Sequence, residues 1–326
     1  MKLQQLRYVV EIVRQGNHLS AAAEAVNSSQ PGVSRQIQLL EAELGFEIFV
    51  RTRNRIIGLT EPGKHVLEVA RRVVTDVSDL KSLKEEMSAS NRGTLVIATT
   101  HTLARYILPA AIESFIKKFP DVQLVLKQGD PEHICELVDA GDADLAIGTE
   151  TARVFAHLVK LPWLEIYRSV VAKKGHPILK AEPLTLKRLA EYPIITYDPR
   201  YSGRWKVLAA FKEAGIEPKI VMSAVDADVS KTYVALGLGI AILSTVSFDP
   251  VRDKALGARD ASKLFAPSTT YITLRANAYL RPFALQFIRS VAPRLTPGVV
   301  REALRTAAAR VVDSAVVKTS KKSTAR

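Results

Sequence analysis

Leu19-Ser20-Ala21-Ala22-Ala23-Glu24-Ala25-Val26, then Asn27-Ser28-Ser29, then Gln30-Pro31-Gly32-Val33-Ser34-Arg35-Gln36-Ile37-Gln38-Leu39-Leu40-Glu41-Ala42-Glu43-Leu44-Gly45 is the stretch that decides the fold of the N-terminal part. Ser20 opens a short helix whose small side chains allow close packing. Asn27-Ser28-Ser29 is a turn with hydroxyls suited to capping the next helix, and Pro31 sits in that helix's first turn, where a missing N–H costs nothing. Val33, Ile37, Leu40 and Leu44 fall on one face and anchor the helix. Ser34, Arg35 and Gln38 then face outward, with Gln30 at the N-terminal end. Apolar residues behind and hydrogen-bonding groups in front are what a major-groove recognition helix requires. Gln pairs bidentately with adenine and Arg with guanine, while Ser reaches phosphate or base. Gly45 closes the helix.

Working outward, Leu6, Val9, Val10 and Val13 share the face of a preceding helix that ends near Gly16. On the other side, Phe46–Phe49 and Ile56–Leu59 flank Arg51-Thr52-Arg53-Asn54-Arg55, which reads as a two-stranded wing with a basic tip. Alternate residues of a strand point the same way, so Arg51, Arg53 and Arg55 are expected to line one phosphate track.

Thr60 caps a long helix with Pro62 in its first turn. Along it Val66, Ala70, Val73, Val77 and Leu80 recur at heptad-like spacing, Lys84 interrupts and Met87 resumes, a seam that argues for helix pairing. Ser88-Ala89-Ser90-Asn91-Arg92-Gly93 follows as a hinge.

From Gly93 the pattern alternates. Strands are expected at Thr94–Thr99, Val122–Leu126, Asp144–Gly148, Ile194–Tyr197 and Lys219–Val221. Helices are expected at Leu103–Phe119, Pro131–Ala140, Trp205–Ala214 and Ala227–Leu236. Such alternation implies α/β units with ligands at the strand C-termini. Hydroxyl-rich spots sit at such places: Thr99-Thr100-His101-Thr102, Thr149 and Ser202-Gly203. Together with helix N-termini they suit a small anion held between two lobes.

The chain has 326 residues and a formal net charge of +13, an excess that favours a polyanionic partner. Eight basic residues against two acids from Arg294 onward carry nearly half of that excess, so charge alone does not settle the partner. No apolar run approaches the ~18 residues of a membrane span, and no secretion signal is visible, which points to the cytoplasm. Cys135 is the only cysteine, which excludes an intrachain disulfide. His101, His133 and Cys135 lack metal-ligand spacing, so no metal and no cofactor is expected. An enzyme or anion carrier on the same α/β fold would need a base or nucleophile beside the hydroxyls, and no such pair is present.

The segments 19–26, 29–37, 40–45, 48–51 and 59–63 resemble, in order and spacing, the DNA-binding domain and linker entry of LysR-type transcriptional regulators. The resemblance implies that Gln30, Pro31, Ser34 and Arg35 approach DNA, with Arg51 and Arg53 in the wing. It also implies a dimer or a tetramer, double-stranded operator DNA as partner, and RNA polymerase as a further one. Met1–Tyr8, Ala98–Thr102, Ala104-Arg105-Tyr106, Asp226–Val229 and Lys231–Val234 look like the CysB/Cbl branch, which controls sulfur assimilation. That branch responds to acetylserine compounds, sulfate-like anions or an adenylylated sulfate. By resemblance Thr100, Thr102, Thr149 and Ser202 would line the effector pocket, and Glu150 would join them. Leu103 departs from the branch, which carries glutamine there. Leucine cannot donate a hydrogen bond, so a different effector within the LysR type stays open.

The expected architecture is mixed. A winged helix-turn-helix covers 1–59, and a linker helix and hinge cover 60–92. A two-lobed α/β effector domain like the periplasmic binding proteins covers 93–312, and a basic tail 313–326. Lobe I takes about 93–162 and 267–292, and lobe II about 163–266.

Overall fold

A computed structural model describes residues 1–53, 55–87 and 92–307, and the chain divides into two compact units, Met1–Ser90 and Asn91–Arg326. Ser88–Asn91 of the expected hinge and the basic tail 313–326 lie outside the described residues.

The first unit runs α1 (Leu3–Arg14), α2 (Leu19–Ala25), α3 (Gln30–Leu44), β1 (Phe49–Thr52), β2 (Arg55–Leu59) and α4 (Glu61–Met87). Its core joins Leu6, Val9 and Ile12 of α1 to Ala22 and Ala23 of α2, and these to Val33, Ile37 and Leu40 of α3. Each large aliphatic side chain buried in this way contributes about 1.5–3 kcal/mol. Ser29 Oγ accepts the Gly32 amide at 3.2 Å, and Gly45 takes φ +79°, so α3 begins and ends as its local sequence dictates.

Two expectations change. The first wing strand begins at Phe49 rather than Phe46, because Ile48 and Phe49 are drawn wholly into the core. The stripe on α4 serves its own unit at its start: Leu67 and Ala70 are buried in the core, with Val66, Val73 and Val74 packed against it. Only further along is the stripe unburied, Leu80 being 64% exposed, and the side chains of Lys84 and Met87 lie outside the described residues. Thr60 accepts the Gly63 amide at 2.9 Å and donates to the Glu47 carbonyl at 2.6 Å, which fixes where α4 starts. At Gly63 an added Cβ would lie 1.9 Å from the Ile48 carbonyl oxygen, so only glycine fits that approach.

The second unit contains β3 (Gly93–Thr99), α5 (His101–Tyr106), α6 (Pro109–Lys118), β4 (Val122–Gln128), α7 (Pro131–Asp139), β5 (Leu145–Thr149), β6 (Leu158–Ile166) and β7 (Arg168–Lys173). It continues with α8 (Leu186–Ala190), β8 (Ile194–Tyr197), α9 (Ser202–Glu213), β9 (Ile220–Ala224), α10 (Ala227–Ala235), β10 (Ile240–Ser244), β11 (Leu256–Asp260), β12 (Ser268–Arg275) and α11 (Pro282–Val291). A last helix spans 297–307. Two five-stranded mixed sheets result, in the orders β4-β3-β5-β12-β6 and β11-β7-β10-β8-β9. These are lobe I and lobe II. The chain crosses between them twice, through Tyr167 alone and again over 261–267. The helix expected over Leu103–Phe119 is two helices, because Pro109 starts a new one and its ring cannot sit inside the old one. No helix among the described residues is long and apolar enough to cross a membrane.

Candidate functional site

On α3 the apolar residues face the core while Gln30, Pro31, Arg35 and Gln38 are exposed and Ser34 is half-buried. The Ser20 hydroxyl donates to Gln30 Oε1 at 2.9 Å and holds that side chain in place. Gln5, buried on α1, donates to Gln36 Oε1 at 3.2 Å and ties α3 to the rest of the unit.

The wing differs from the expected single track of arginines. β1 ends at Thr52, which pairs with Arg55 on β2, so Arg51 and Arg55 lie on opposite strands and Arg53 sits at the tip with φ +47°. Arg51 is also turned inward. Its Nη2 lies 2.8 Å from Glu41 Oε2, while Glu41 Oε1 accepts the Ile48 amide at 2.8 Å and the Phe49 amide at 3.2 Å. Arg51 thus joins the wing to α3, and Arg53 and Arg55 are the exposed cations of the hairpin.

In the second unit, a small cavity between the lobes is lined by Thr100, Thr102, Leu103 and Thr149 from one side. Tyr197, Tyr201, Ser202, Gly203 and Ser244 face them, with Ile166, Arg168 and Ser268 at the crossings. Four of the five effector candidates therefore meet there: Thr100 and Thr102 at the start of α5, Thr149 at the end of β5 and Ser202 at the start of α9. Tyr201, the residue before α9, makes no side-chain cap. Burial pushes its phenol up to about 12, so it stays a neutral donor. Ser202 Oγ donates to Ser268 Oγ at 3.0 Å, linking α9 to β12.

Glu150, the fifth candidate, does not line the cavity. Its Oε1 accepts Lys206 Nζ at 2.6 Å and the Thr269 amide at 2.8 Å. Burial would raise its carboxyl, but the hydrogen bonds from Lys206 and Thr269 outweigh this and lower it. It is a clasp between β5, α9 and the start of β12, with its charge already matched.

Ile166, Arg168, Tyr197, Tyr201, Ser244 and Ser268 were not expected at the site. One signal was available: an arginine opening the apolar run Arg168-Ser169-Val170-Val171-Ala172 is out of place in a buried strand. Ile166 and Ser268 reach the cavity only through the two crossings, whereas Tyr197, Tyr201 and Ser244 stand at or just after strand C-termini of lobe II, beside Ser202.

A second constellation closes the cleft beside α10. Tyr106 donates to Asp228 Oδ1 at 2.6 Å, Arg105 Nε lies 2.6 Å from Asp228 Oδ2, and Lys231 Nζ donates to Tyr106 at 3.0 Å and to Asp253 at 2.9 Å. Arg105 and Tyr106 belong to lobe I, the other three to lobe II. Arg200 of lobe II adds a bridge to Asp130 at 3.0 Å. His101 comes close to Asp226 and Asp228, a grouping that spacing along the chain did not reveal. Arg105 and Lys231 already occupy Asp228, so their positive charge stands where a metal ion would have to bind.

A helix-turn-helix unit joined to a two-lobed α/β unit with a hydroxyl-lined interlobe cavity defines a ligand-responsive transcriptional regulator. Residues 3–64 match the bacterial regulatory helix-turn-helix proteins of the lysR family and residues 88–296 match the LysR substrate binding domain, so the chain belongs to the LysR family. It is 45% identical over 308 residues to the HTH-type transcriptional regulator SsuR of Burkholderia cenocepacia, covering 93% of this chain and 100% of that one. To the HTH-type transcriptional regulator CysB of the same organism it is 44% identical over 305 residues, 94% of this chain and 97% of that one. The crystal structure of the cofactor-binding domain of the Cbl transcriptional regulator is similar at a TM-score of 0.63 and 37% identity, covering 66% of this chain and 94% of that one. These relatives are regulators, not enzymes.

Proposed function

We propose that the chain is a cytoplasmic regulator of sulfur-assimilation genes that binds operator DNA as a homodimer or homotetramer and responds to a small anionic or acetylserine-like effector. The observation that carries this reading is the relation to SsuR and CysB, which holds over nearly the full length of all three chains. In this reading Gln30, Ser34, Arg35 and Gln38 face the major groove, Pro31 approaches the backbone, and Arg53 and Arg55 reach phosphate. Thr100, Thr102, Thr149 and Ser202 receive the effector, and RNA polymerase is the partner at the promoter. Leu103 favours a second reading, a LysR-type regulator with an effector outside sulfur metabolism, since this wall of the cavity offers no hydrogen bond.

The test is DNA binding by the full chain to promoter fragments of sulfur-assimilation genes. It is run with and without O-acetylserine, N-acetylserine, sulfate, thiosulfate and adenosine 5′-phosphosulfate. Binding should weaken steeply with salt, and at least one compound should change it in the wild type but not in Thr100→Val. Specific binding with no response to any compound would sink the sulfur reading and leave the second. No preference for any of these promoters over random DNA would remove the sulfur genes as targets.

A further inference from the structure

Arg168 opens β7 one residue after the chain leaves lobe I, and it is 2% exposed. A buried guanidinium cannot shed its charge at any ordinary pH, so it needs an anion or a full set of acceptors. It has neither. Nη1 donates to the Ile166 carbonyl at 2.9 Å and to the Tyr167 carbonyl at 3.3 Å, Nη2 donates to Ser268 Oγ, and Nε has no partner. Among the described residues no carboxylate pairs with it: Glu150 acts on it only at longer range, its own charge matched by Lys206. Burial accordingly lowers the affinity of Arg168 for its proton. Ser244 Oγ, also lining the cavity, is likewise buried without a partner. The cavity therefore carries one unmatched positive charge and unused polar groups.

Its size and its far wall narrow what can answer that charge. The cavity measures about 40 Å³. A single water needs roughly 10–15 Å³ by this measure, so the space takes about three or four water-sized groups, which suits the outer atoms of one small tetrahedral ion. Leu103 and Ile166 supply apolar surface and no hydrogen bond. We propose that Arg168 is the charge that binds the effector, and that the effector is a compact, singly charged oxyanion with an apolar end. This rests on reading the interlobe cavity as the effector site. A dianion would carry a second charge that the single guanidinium does not match, and would set an oxygen against Leu103 without a donor. Methanesulfonate is the simplest probe of the class.

The experiment is calorimetric titration of the full-length chain with methanesulfonate, sulfate and dimethyl sulfone, at an ionic strength held constant with chloride. Methanesulfonate should bind saturably, sulfate roughly tenfold more weakly, and dimethyl sulfone, similar in shape but uncharged, not at all. Arg168→Gln should weaken methanesulfonate by roughly tenfold to a hundredfold, and Arg168→Lys should recover part of the loss. The proposal is overturned if Arg168→Gln binds as the wild type does, if dimethyl sulfone binds as well as methanesulfonate, or if sulfate binds equally or more tightly. Should Arg168→Gln fail to fold, the wild-type comparison of methanesulfonate with the sulfone still decides. A wild type that binds neither anion also overturns it. A response to O-acetylserine that is lost in Thr100→Val would then keep the cavity as the effector site with a different ligand.

Discussion

The Tyr106 hydroxyl of lobe I donates to Asp228 Oδ1 of lobe II at 2.6 Å, while Lys231 donates to the same hydroxyl at 3.0 Å. One phenol thereby stitches the two lobes together. Tyr106→Phe keeps the ring and removes both bonds, at an expected cost of about 1–3 kcal/mol in holding the lobes closed. Hydrogen exchange on α10 should rise while exchange in the core of lobe I stays as it was. Unchanged exchange on α10 would mean that the lobes are held elsewhere. Burial raises the Asp228 carboxyl, but the bonds from Tyr106 and Lys231 outweigh it, so its value is lowered in the folded chain. The carboxylate's contribution is then present above the ordinary carboxylate value and is lost as pH falls through the lowered one.

Glu41 and Arg51 predict the behaviour of the wing. Glu41→Ala strands two backbone amides and an arginine that is only partly exposed, and should cost about 2–4 kcal/mol, read as a fall in the denaturation midpoint. Arg51→Ala leaves both amides bonded and should cost less. Equal costs would show that the ion pair, not the amides, is what matters.

Gly63→Ala should destabilise the first unit by about 1–3 kcal/mol, because the new methyl meets the Ile48 carbonyl oxygen and the start of α4 must move. Thermal unfolding measures it. A neutral result would show that α4 can shift at no cost.

Asp144 accepts the Val96 amide at 2.7 Å, and burial raises its carboxyl above the ordinary value. A raised folded value means that the folded state binds the proton more tightly. The charged form is therefore a burden at neutral pH that is relieved as pH falls through the raised value. Asp144→Asn keeps an acceptor for Val96 and should raise Tm at neutral pH. That gain should shrink as the medium is acidified toward a pH of about 4. A Tm difference independent of pH would contradict the assignment.

Arg35→Ala should relax base preference at one operator position at a cost of about 1–3 kcal/mol, whereas Arg53→Ala should weaken binding evenly and reduce the salt slope by about one. Competition binding with permuted operators separates the two. The same response from both variants would remove Arg35 as a base reader.

Much of this architecture is legible locally. The Ser29 cap, the glycine after α3 and the apolar face of Val33, Ile37 and Leu40 are each set by residues within a few positions of one another, and periodicity reports such features well. The wing was harder. A strand reading puts three alternate arginines on one side, but the chain turns back after Arg53, and the buried carboxylate that draws Arg51 inward sits ten residues earlier on a helix. The Thr100, Thr102, Thr149 and Ser202 hydroxyls were visible because each follows a strand. Arg168 and Ser268, a hundred residues apart, meet only because both stand where the chain changes sheets.

Those two crossings also bear on the order in which the polypeptide can be finished as it leaves the ribosome. Lobe II is one unbroken stretch, and its sheet is complete when β11 has been made. The sheet of lobe I, begun earlier, lacks the strand between β5 and β6 until β12 emerges. The lobe that starts first must therefore wait, with the inner edges of β5 and β6 unpaired, until the whole of its neighbour has been synthesised.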